Sequence, residues 1–223
     1  MAVITARAGS KRLPNKNELD LAGKPLIAWT VEAAIKSKYI DRCVVSTDSI
    51  KLKEISEKFG AEVPFIRPLE LAKDTTSSID VIFHTIDNLK ETFDYLILLQ
   101  PTSPLRTTEN IDAAIEAMES SKALVSVCET EHSPLWTNTL ENDLSMANFI
   151  KPELIGKRSQ DLPKYYRING AIYIAELKYL QQNNGFLGHE TKAFIMSQEN
   201  SIDIDTAIDF KLSEIIINNN GFK

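Results

Sequence analysis

The chain has 223 residues, 43% of them hydrophobic, with 25 Lys and Arg against 31 Asp and Glu and a net charge of −6. That size allows one large α/β domain spanning 1–223 with at most a small appended lobe, and the acidic total argues against a general nucleic-acid binder. No secretory apolar region opens the chain, no apolar run reaches the ~18 residues of a membrane span, and Cys43 and Cys128 offer neither a disulfide framework nor metal-type spacing, so the expectation is a soluble cytoplasmic protein that binds neither nucleic acid nor membrane.

Ala2 to Ala6 predicts a short strand. It runs into TARAGSKRLPNKN, Thr5 to Asn17, which carries Arg7, Lys11, Arg12 and Lys16. From Arg7 to Lys24 five cations meet two acids, so the local charge opposes that of the whole chain. A loop at a strand end presents backbone N–H groups and fixed positive charge, and phosphate is its natural guest. The loop lacks both Walker spacing and the three glycines of a dinucleotide fingerprint, and a solvated basic turn is the ordinary alternative. Arg7 and Lys11, four apart across a turn, can converge on one triphosphate. Lys16 and Asn17 lie beyond Pro14, on the far side.

Helical spacing follows over Pro25 to Ser37, then a β-branched strand over Arg42 to Ser46 that leads into Thr47-Asp48. Ile50 to Phe59 predicts a helix stopped by Gly60, Glu62 to Ile66 a short strand, Ser78 to Glu91 a helix, and Tyr95 to Leu99 a central strand. Asn110 to Ser120 predicts a helix and Leu124 to Cys128 a strand. This alternation argues for a doubly wound, mostly parallel sheet. Ligands then belong at the carboxyl ends of the strands, where TARAGSK, STD and LQPTSPLR all fall. Gln100, at a strand tip before two prolines, can donate and accept, although a rigid structural corner explains the same residues.

The alternation breaks after Glu129. Residues 130–165 are polar, proline-punctuated and poorly periodic, too long for a plain loop, and read as a functional element or an exchanged arm. Arg167-Ile168-Asn169-Gly170 leads into a strand over Gly170 to Ala175. Arg167 could fork onto a carboxylate or phosphate, or form a surface salt bridge. In SIDIDT, Ser201 to Thr206, extended sequence would point Asp203 and Asp205 to one face, a pair of hard oxygen ligands suited to Mg²⁺ beside a triphosphate. One of them could instead cap the last helix, expected over Ala207 to Asn218. The tail Asn218 to Gly221 is expected to fray. Of the scattered histidines His84, His132 and His189, His132 is the best catalytic candidate because it lies in the irregular segment.

The blocks ARAGSKRLPNKN, LAGKPLIAWTVEAA, DRCVVSTDS, RPLELAKDTTSSIDVI, LLQPTSPLR, the HSP after Glu131, LPKYYRINGAIYI and SIDIDT occur in this order along nearly the whole chain. Together they resemble the acylneuraminate cytidylyltransferases, the CMP-sialic acid synthetases. The Kdo cytidylyltransferases share the first loop but not LLQPTSPLR followed by RxNGAIYI. The resemblance implies a Rossmann-like fold with a small inserted dimerisation lobe near 130–165, hence a homodimer. It also implies Mg²⁺-dependent transfer of CMP from CTP to the anomeric hydroxyl of a nine-carbon α-keto sugar acid, with release of pyrophosphate. By this resemblance Arg7, Lys11 and Lys16 match the phosphate loop, and Asn17, Arg67, Thr76 and Ser78 the nucleoside contacts. Gln100 and Arg167, with Asn169 beside them, match the sugar-acid side, Arg167 orienting the carboxylate. Asp203 and Asp205 match the metal pair, and with Arg7 and Lys11 make the catalytic set. Two departures stand out: Glu18 occupies a position where an apolar residue is common, and Phe186-Leu187 stands where some sialate-specific relatives look more aromatic. The acyl group of the substrate is left open among neuraminate, legionaminate and pseudaminate. Alternatives are a cytidylyltransferase for another keto-acid or an aminosugar, or a nucleotide-binding regulatory protein with a dead site.

Overall fold

Alternating apolar side chains on short strands build a six-stranded mixed sheet, mostly parallel, in the computed structural model, which describes residues 1–119 and 121–220. In chain order the strands are β1 (Ala2–Thr5), β2 (Asp20–Leu21), β3 (Lys24–Pro25), β4 (Cys43–Ser46), β5 (Tyr95–Leu99), β6 (Ala123–Glu129), β7 (Tyr166–Glu176) and β8 (Thr191–Met196). The helices are α1 (Leu26–Ile35), α2 (Ile50–Lys58), α3 (Ser78–Leu89), α4 (Thr108–Glu116), α5 (Leu177–Asn183) and α6 (Ala207–Asn220). The large sheet runs β4-β1-β5-β7-β6-β8, and β2 pairs with β3 as a separate hairpin. Within the large sheet, among the described residues, β7 alone is antiparallel to its neighbours. Its reversal matters for the site: Leu99 pairs with Ile172, so residues 166–170 reach the same sheet edge as the carboxyl ends of β1 and β5.

The period-2 alternation of strand side chains sorts the core into two layers. Ala2, Ile4, Val45 and Leu99 pack with Ile27 and Val31 of α1 and Ile111 of α4. Val3, Val44, Leu96 and Leu98 pack with Ile82 and Ile86 of α3 and Leu180 of α5. Each such buried aliphatic chain contributes about 1.5–3 kcal/mol. A third cluster, Leu21, Leu26, Leu105, Ile204 and Ile217, ties α6 to the hairpin and to the turn after β5. Cys43 and Cys128 are buried free thiols, and burial pushes that of Cys43 up to about 12.

Several expectations are corrected. Glu62 to Ile66 is not a strand but two isolated parallel bridges, Val44–Glu62 and Thr47–Ile66; Pro64 between them has no N–H to continue a ladder. Residues 202–205 are not a strand either. Helix α4 begins two residues early, at Thr108, because Thr107 and Asn110 form a capping box, and it ends at Glu116 with Ala117 as its C-cap, short of the expected Ser120, which itself lies outside the described residues. The expected fraying at Asn218 to Asn220 is replaced by continued helix, while Gly221 lies outside the described residues. Hairpin β2–β3, α5 and β8 had no forecast. Residues 130–165 hold three short 3-10 turns, Pro134–Trp136, Pro152–Leu154 and Ser159–Asp161. The stem of this excursion closes where Thr130 N donates to the Tyr165 carbonyl at 2.9 Å.

Candidate active site

The loop after β1 is fastened to its neighbours by its backbone and offers its side chains to a cleft. Ala6 N donates to the Ser46 carbonyl at 3.0 Å and Ala8 N to Asp48 Oδ1 at 2.9 Å. Asn17 Nδ2 reaches back to the Arg7 carbonyl at 3.1 Å, which sets the width of the loop. Asn15 takes the left-handed conformation, φ 54°, and turns the chain into a 3-10 turn over Lys16–Glu18. Glu18, unusual by resemblance, pairs with Lys51 at 2.7 Å and so fits its place.

Every cation of this loop has a carboxylate partner. Arg7 Nη1 lies 2.5 Å from Asp74 Oδ1, and Lys11 Nζ contacts the other oxygen of Asp74. Arg12 Nη1 lies 2.6 Å from Asp205 Oδ2, and Lys16 Nζ lies 3.3 Å from Asp205 Oδ1 while also donating to the Ile204 carbonyl. Lys11 and Arg7 hold the Asp74 carboxyl below its ordinary range.

Two clefts open at this sheet edge. One, of about 440 Å³, is lined by Arg7, Lys11, Lys16, Asn17, Gln100 and Asp205, with Asp74 and Thr102. The second, of about 210 Å³, is lined by Arg7, Arg67, Asp74, Thr76 and Ser78. Arg67 is buried, 3.7 Å from Asp48, and has a partnerless Nε. Burial lowers its pKa against the opposing pull of Asp48. Asn17 Oδ1 is likewise buried without a partner. The two clefts thus bring together nine of the twelve residues singled out in the sequence.

Arg167, Asn169 and Asp203 line neither cleft. Arg167 stands at the start of β7, where its fork meets Glu131, Nη2 to Oε1 at 2.8 Å and Nε to Oε2 at 3.4 Å; this pairing raises its pKa. Asn169 is buried and spends its amide internally: Nδ2 donates to Ser201 Oγ at 2.8 Å, and Oδ1 accepts from Ser126 Oγ at 2.5 Å and from Ala171 N at 3.1 Å. It therefore shapes the start of β7 and does not reach into a cleft. Gly170, φ 78°, leaves the room that Gln100 occupies; a Cβ there would stand 2.9 Å from Gln100 Oε1. Asp203 and Asp205 flank Ile204, which is buried in the third apolar cluster and whose N donates to the Thr102 carbonyl at 2.7 Å. Asp203 has a buried Oδ1 without a partner, and burial pushes its carboxyl pKa up while a hydrogen bond from Thr102 opposes and the like charge of Asp205 adds. An unsatisfied buried carboxylate oxygen beside a second carboxylate fits a hard cation that keeps most of its ligands from water or phosphate. No group of three or more His, Cys, Asp or Glu able to hold a metal occurs among the described residues. The helix cap comes from neither of these carboxylates: Asp209 accepts from Thr206 N at 2.7 Å and from Asp205 N at 3.1 Å. His132 is exposed and lines neither cleft, while Phe186 packs in the core against Tyr173, ring centroids 5.4 Å apart.

Sequence reasoning left Asp74 and Arg106 out of the site. No local spacing links Asp74 to the loop it binds. Arg106 is buried, with Nη2 donating to Thr30 Oγ1 at 2.8 Å and with Nε and Nη1 unpartnered, and burial lowers its pKa. Thr30 Oγ1 lies 3.5 Å from the Gln100 carbonyl, so Arg106 braces the turn that carries Gln100. The LQPTSPLR block was the available signal.

A cationic cleft at the carboxyl ends of a mostly parallel sheet, with Asp74 and Asp205 in its lining, is the layout of an enzyme that handles nucleotides. The chain belongs to the cytidylyltransferase family, whose profile it matches over residues 1–216. It is 42% identical to the CMP-N,N'-diacetyllegionaminic acid synthase of Legionella pneumophila over 96% of this chain and 94% of that one. It is 36% identical to the N-acylneuraminate cytidylyltransferase of Escherichia coli, covering 96% of this chain but 51% of that longer protein, and 32% identical to the pseudaminic acid cytidylyltransferase of Campylobacter jejuni, 97% and 95% covered. Its fold matches a CMP:2-keto-3-deoxy-manno-octonic acid synthetase complexed with CTP, at a TM-score of 0.73 and 18% identity over 98% of both chains.

Proposed function

We propose that this cytidylyltransferase transfers CMP from CTP to the anomeric hydroxyl of a nonulosonic acid, with release of pyrophosphate. The observation that carries this reading is the pair of adjoining clefts sharing Arg7: one with the phosphate-loop cations and Asp205, the other with Arg67, Thr76 and Ser78. The relatives named for legionaminic, neuraminic and pseudaminic acids support the acceptor class. The 42% identity to the legionaminate synthase favours a diacetamido acid of that kind.

The nucleoside rests against Arg67, Thr76 and Ser78, and the triphosphate against Arg7, Lys11, Arg12 and Lys16. The acceptor hydroxyl attacks the α-phosphorus, the bond to the bridging oxygen breaks, and pyrophosphate leaves with the electron pair. Catalysis is then mainly positioning and neutralisation of charge on the phosphate oxygens. Gln100, at the tip of β5, presents donor and acceptor to the acceptor sugar. Arg167 takes the sugar carboxylate by exchanging it for Glu131, a bidentate geometry that it already makes. Asp203 and Asp205 would hold Mg²⁺, which supplies charge neutralisation at the phosphates. The setting is a reducing compartment, in keeping with two free thiols. The subunits pair as a homodimer through 130–165, which exposes Leu140, Leu144, Met146 and Ile155.

A panel of nonulosonic acids mixed with CTP and Mg²⁺, read by pyrophosphate release and by the CMP-sugar formed, tests the reading. The expected result is turnover of an N,N'-diacetyl nonulosonate and little with neutral hexoses. CTP binding without turnover of any acid would favour a nucleotide-binding protein with a dead site.

A further inference from the structure

One carboxylate in the cleft belongs to no step of the proposed reaction. Asp74 uses both oxygens on two cations of the phosphate loop, Arg7 at 2.5 Å and Lys11. It sits between the 3-10 turn Leu69–Leu71 and the capped start of α3, where Ser77 and Asp80 close a capping box. Its own turn is closed behind it by Thr76 N donating to the Lys73 carbonyl at 3.2 Å and by Thr76 Oγ1 donating to the Glu70 carbonyl at 3.3 Å. The backbone is therefore anchored, and the half-exposed carboxylate reaches the loop through its side chain alone.

The position of the Arg7–Asp74 pair is what gives it meaning. Arg7 and Asp74 both line the cleft of about 440 Å³ and the cleft of about 210 Å³. The bridged pair therefore borders both the chamber of Arg67, Thr76 and Ser78 and the chamber of Lys11, Lys16 and Asp205. A nucleoside triphosphate is one covalent molecule that has to cross from the first to the second. A fixed carboxylate on that path repels the polyanion and occupies the donors that the phosphates need.

We propose that Asp74 stands in for the triphosphate: its carboxylate holds Arg7 and Lys11 in place without nucleotide, competes with the phosphates for both cations, and must release them before one nucleotide can span the two chambers. This rests on the CTP reading above. It makes Asp74 a positioning residue that preorganises the loop at a cost in affinity.

The test is equilibrium binding of CTP and of inorganic tripolyphosphate, without divalent cation, to the wild type and to Asp74→Asn, Asp74→Glu and Asp161→Asn. Asp161→Asn removes one charge at an exposed site paired with Arg158 and controls for net charge. Asp74→Asn is expected to bind tripolyphosphate and CTP each about tenfold more tightly, while Asp74→Glu and Asp161→Asn stay within about twofold of wild type. Unchanged or weaker tripolyphosphate binding by a folded Asp74→Asn, or an equal gain in Asp161→Asn, would overturn the proposal. Wild-type protein that binds tripolyphosphate but not CTP would sink the nucleotide reading, with the competition by Asp74 still measured on tripolyphosphate.

Discussion

Residues 7–17 and residues 130–165 are both irregular, yet they are irregular for opposite reasons. The first segment is tied down at nearly every turn: Ala8 to Asp48, Asn17 to Arg7, Lys16 to Ile204 and Asp205, Arg7 and Lys11 to Asp74. Its lack of helix or strand comes from donors being directed to one place, which fits a site that must hold charge in a fixed geometry. The second closes on its own stem and makes mainly local bonds, such as Asn138 Nδ2 to the Phe149 carbonyl at 3.3 Å. It leaves Leu140, Leu144, Met146 and Ile155 in solvent. In the homodimer proposed above, these side chains would be covered by the partner subunit. Between the two stands Arg167, two residues past the arm's stem and at the sheet edge of the loop.

The largest expected effect lies on the loop side. Asp205 accepts from Arg12 and Lys16 and is one of the proposed metal ligands. Asp205→Asn is expected to lower kcat by roughly 10²-fold or more, while thermal stability falls by no more than ~1 kcal/mol, because the Arg12 pair is exposed and the buried Lys16 keeps the Ile204 carbonyl as a partner. Steady-state kinetics and a melting curve on one preparation separate the two. A variant that loses stability and keeps its kcat would make Asp205 a clamp of the loop, and full activity in excess EDTA would remove the metal from the reading.

A smaller effect belongs to Arg167, which stands between the two regions. Arg167→Lys keeps the charge and loses the fork. The expected outcome is a rise of about tenfold in KM for the sugar acid, ~1.4 kcal/mol, with KM for CTP nearly unchanged. Glu131 sharpens this: it already takes both ends of the guanidinium, so the site accepts a carboxylate in this geometry. Wild-type sugar kinetics in Arg167→Lys would assign Arg167 to the stem of the arm alone.

What the sequence disclosed follows the same division. β5 was legible to the residue because YLILL is a buried run with turn signals on both sides, and α1 to α4 were legible through their apolar period. Asp203 and Asp205 flank the buried Ile204, but of the two Asp205 lines the larger cleft and Asp203 does not, so their spacing alone did not carry both carboxylates to it. Glu62 to Ile66 failed for a reason present in the sequence, Pro64. β8 failed for one that is not: TKAFIM has three exposed or half-exposed apolar positions and is a strand because β6 lies beside it. Asp74 was illegible as a site residue for the same reason, since its role arises from Arg7 and Lys11, distant in the chain, whereas Arg106 ends the LQPTSPLR block and only its bond to Thr30 was hidden. Asn169 was placed near the sugar by its neighbours in sequence, whereas its amide is consumed by Ser126, Ala171 and Ser201.

The smallest expected effect, on the stability of the single chain, is the sharpest test of the contrast. Leu144 and Met146 are 70% and 58% exposed, and Leu144 adopts φ 59°, a conformation already costly for a branched side chain. Neither contributes appreciably to the core of its own subunit, so Leu144→Asn with Met146→Asp should shift the unfolding free energy of the isolated chain by no more than about 0.5 kcal/mol. Asn also tolerates positive φ better than Leu. The same pair of changes places a charge and an amide where the partner's apolar surface would lie, and an unpaired buried charge is expensive. Sedimentation at micromolar concentration is therefore expected to show twice the 25.0 kDa of one chain for the wild type and 25.0 kDa for the variant. Wild-type protein that sediments as a single chain with full activity would remove the homodimer, and a variant that still pairs would place the contact elsewhere. A variant that is monomeric and also loses several kcal/mol of stability would show that 130–165 is fastened to its own subunit, as residues 7–17 are, and the contrast between the two segments would fall.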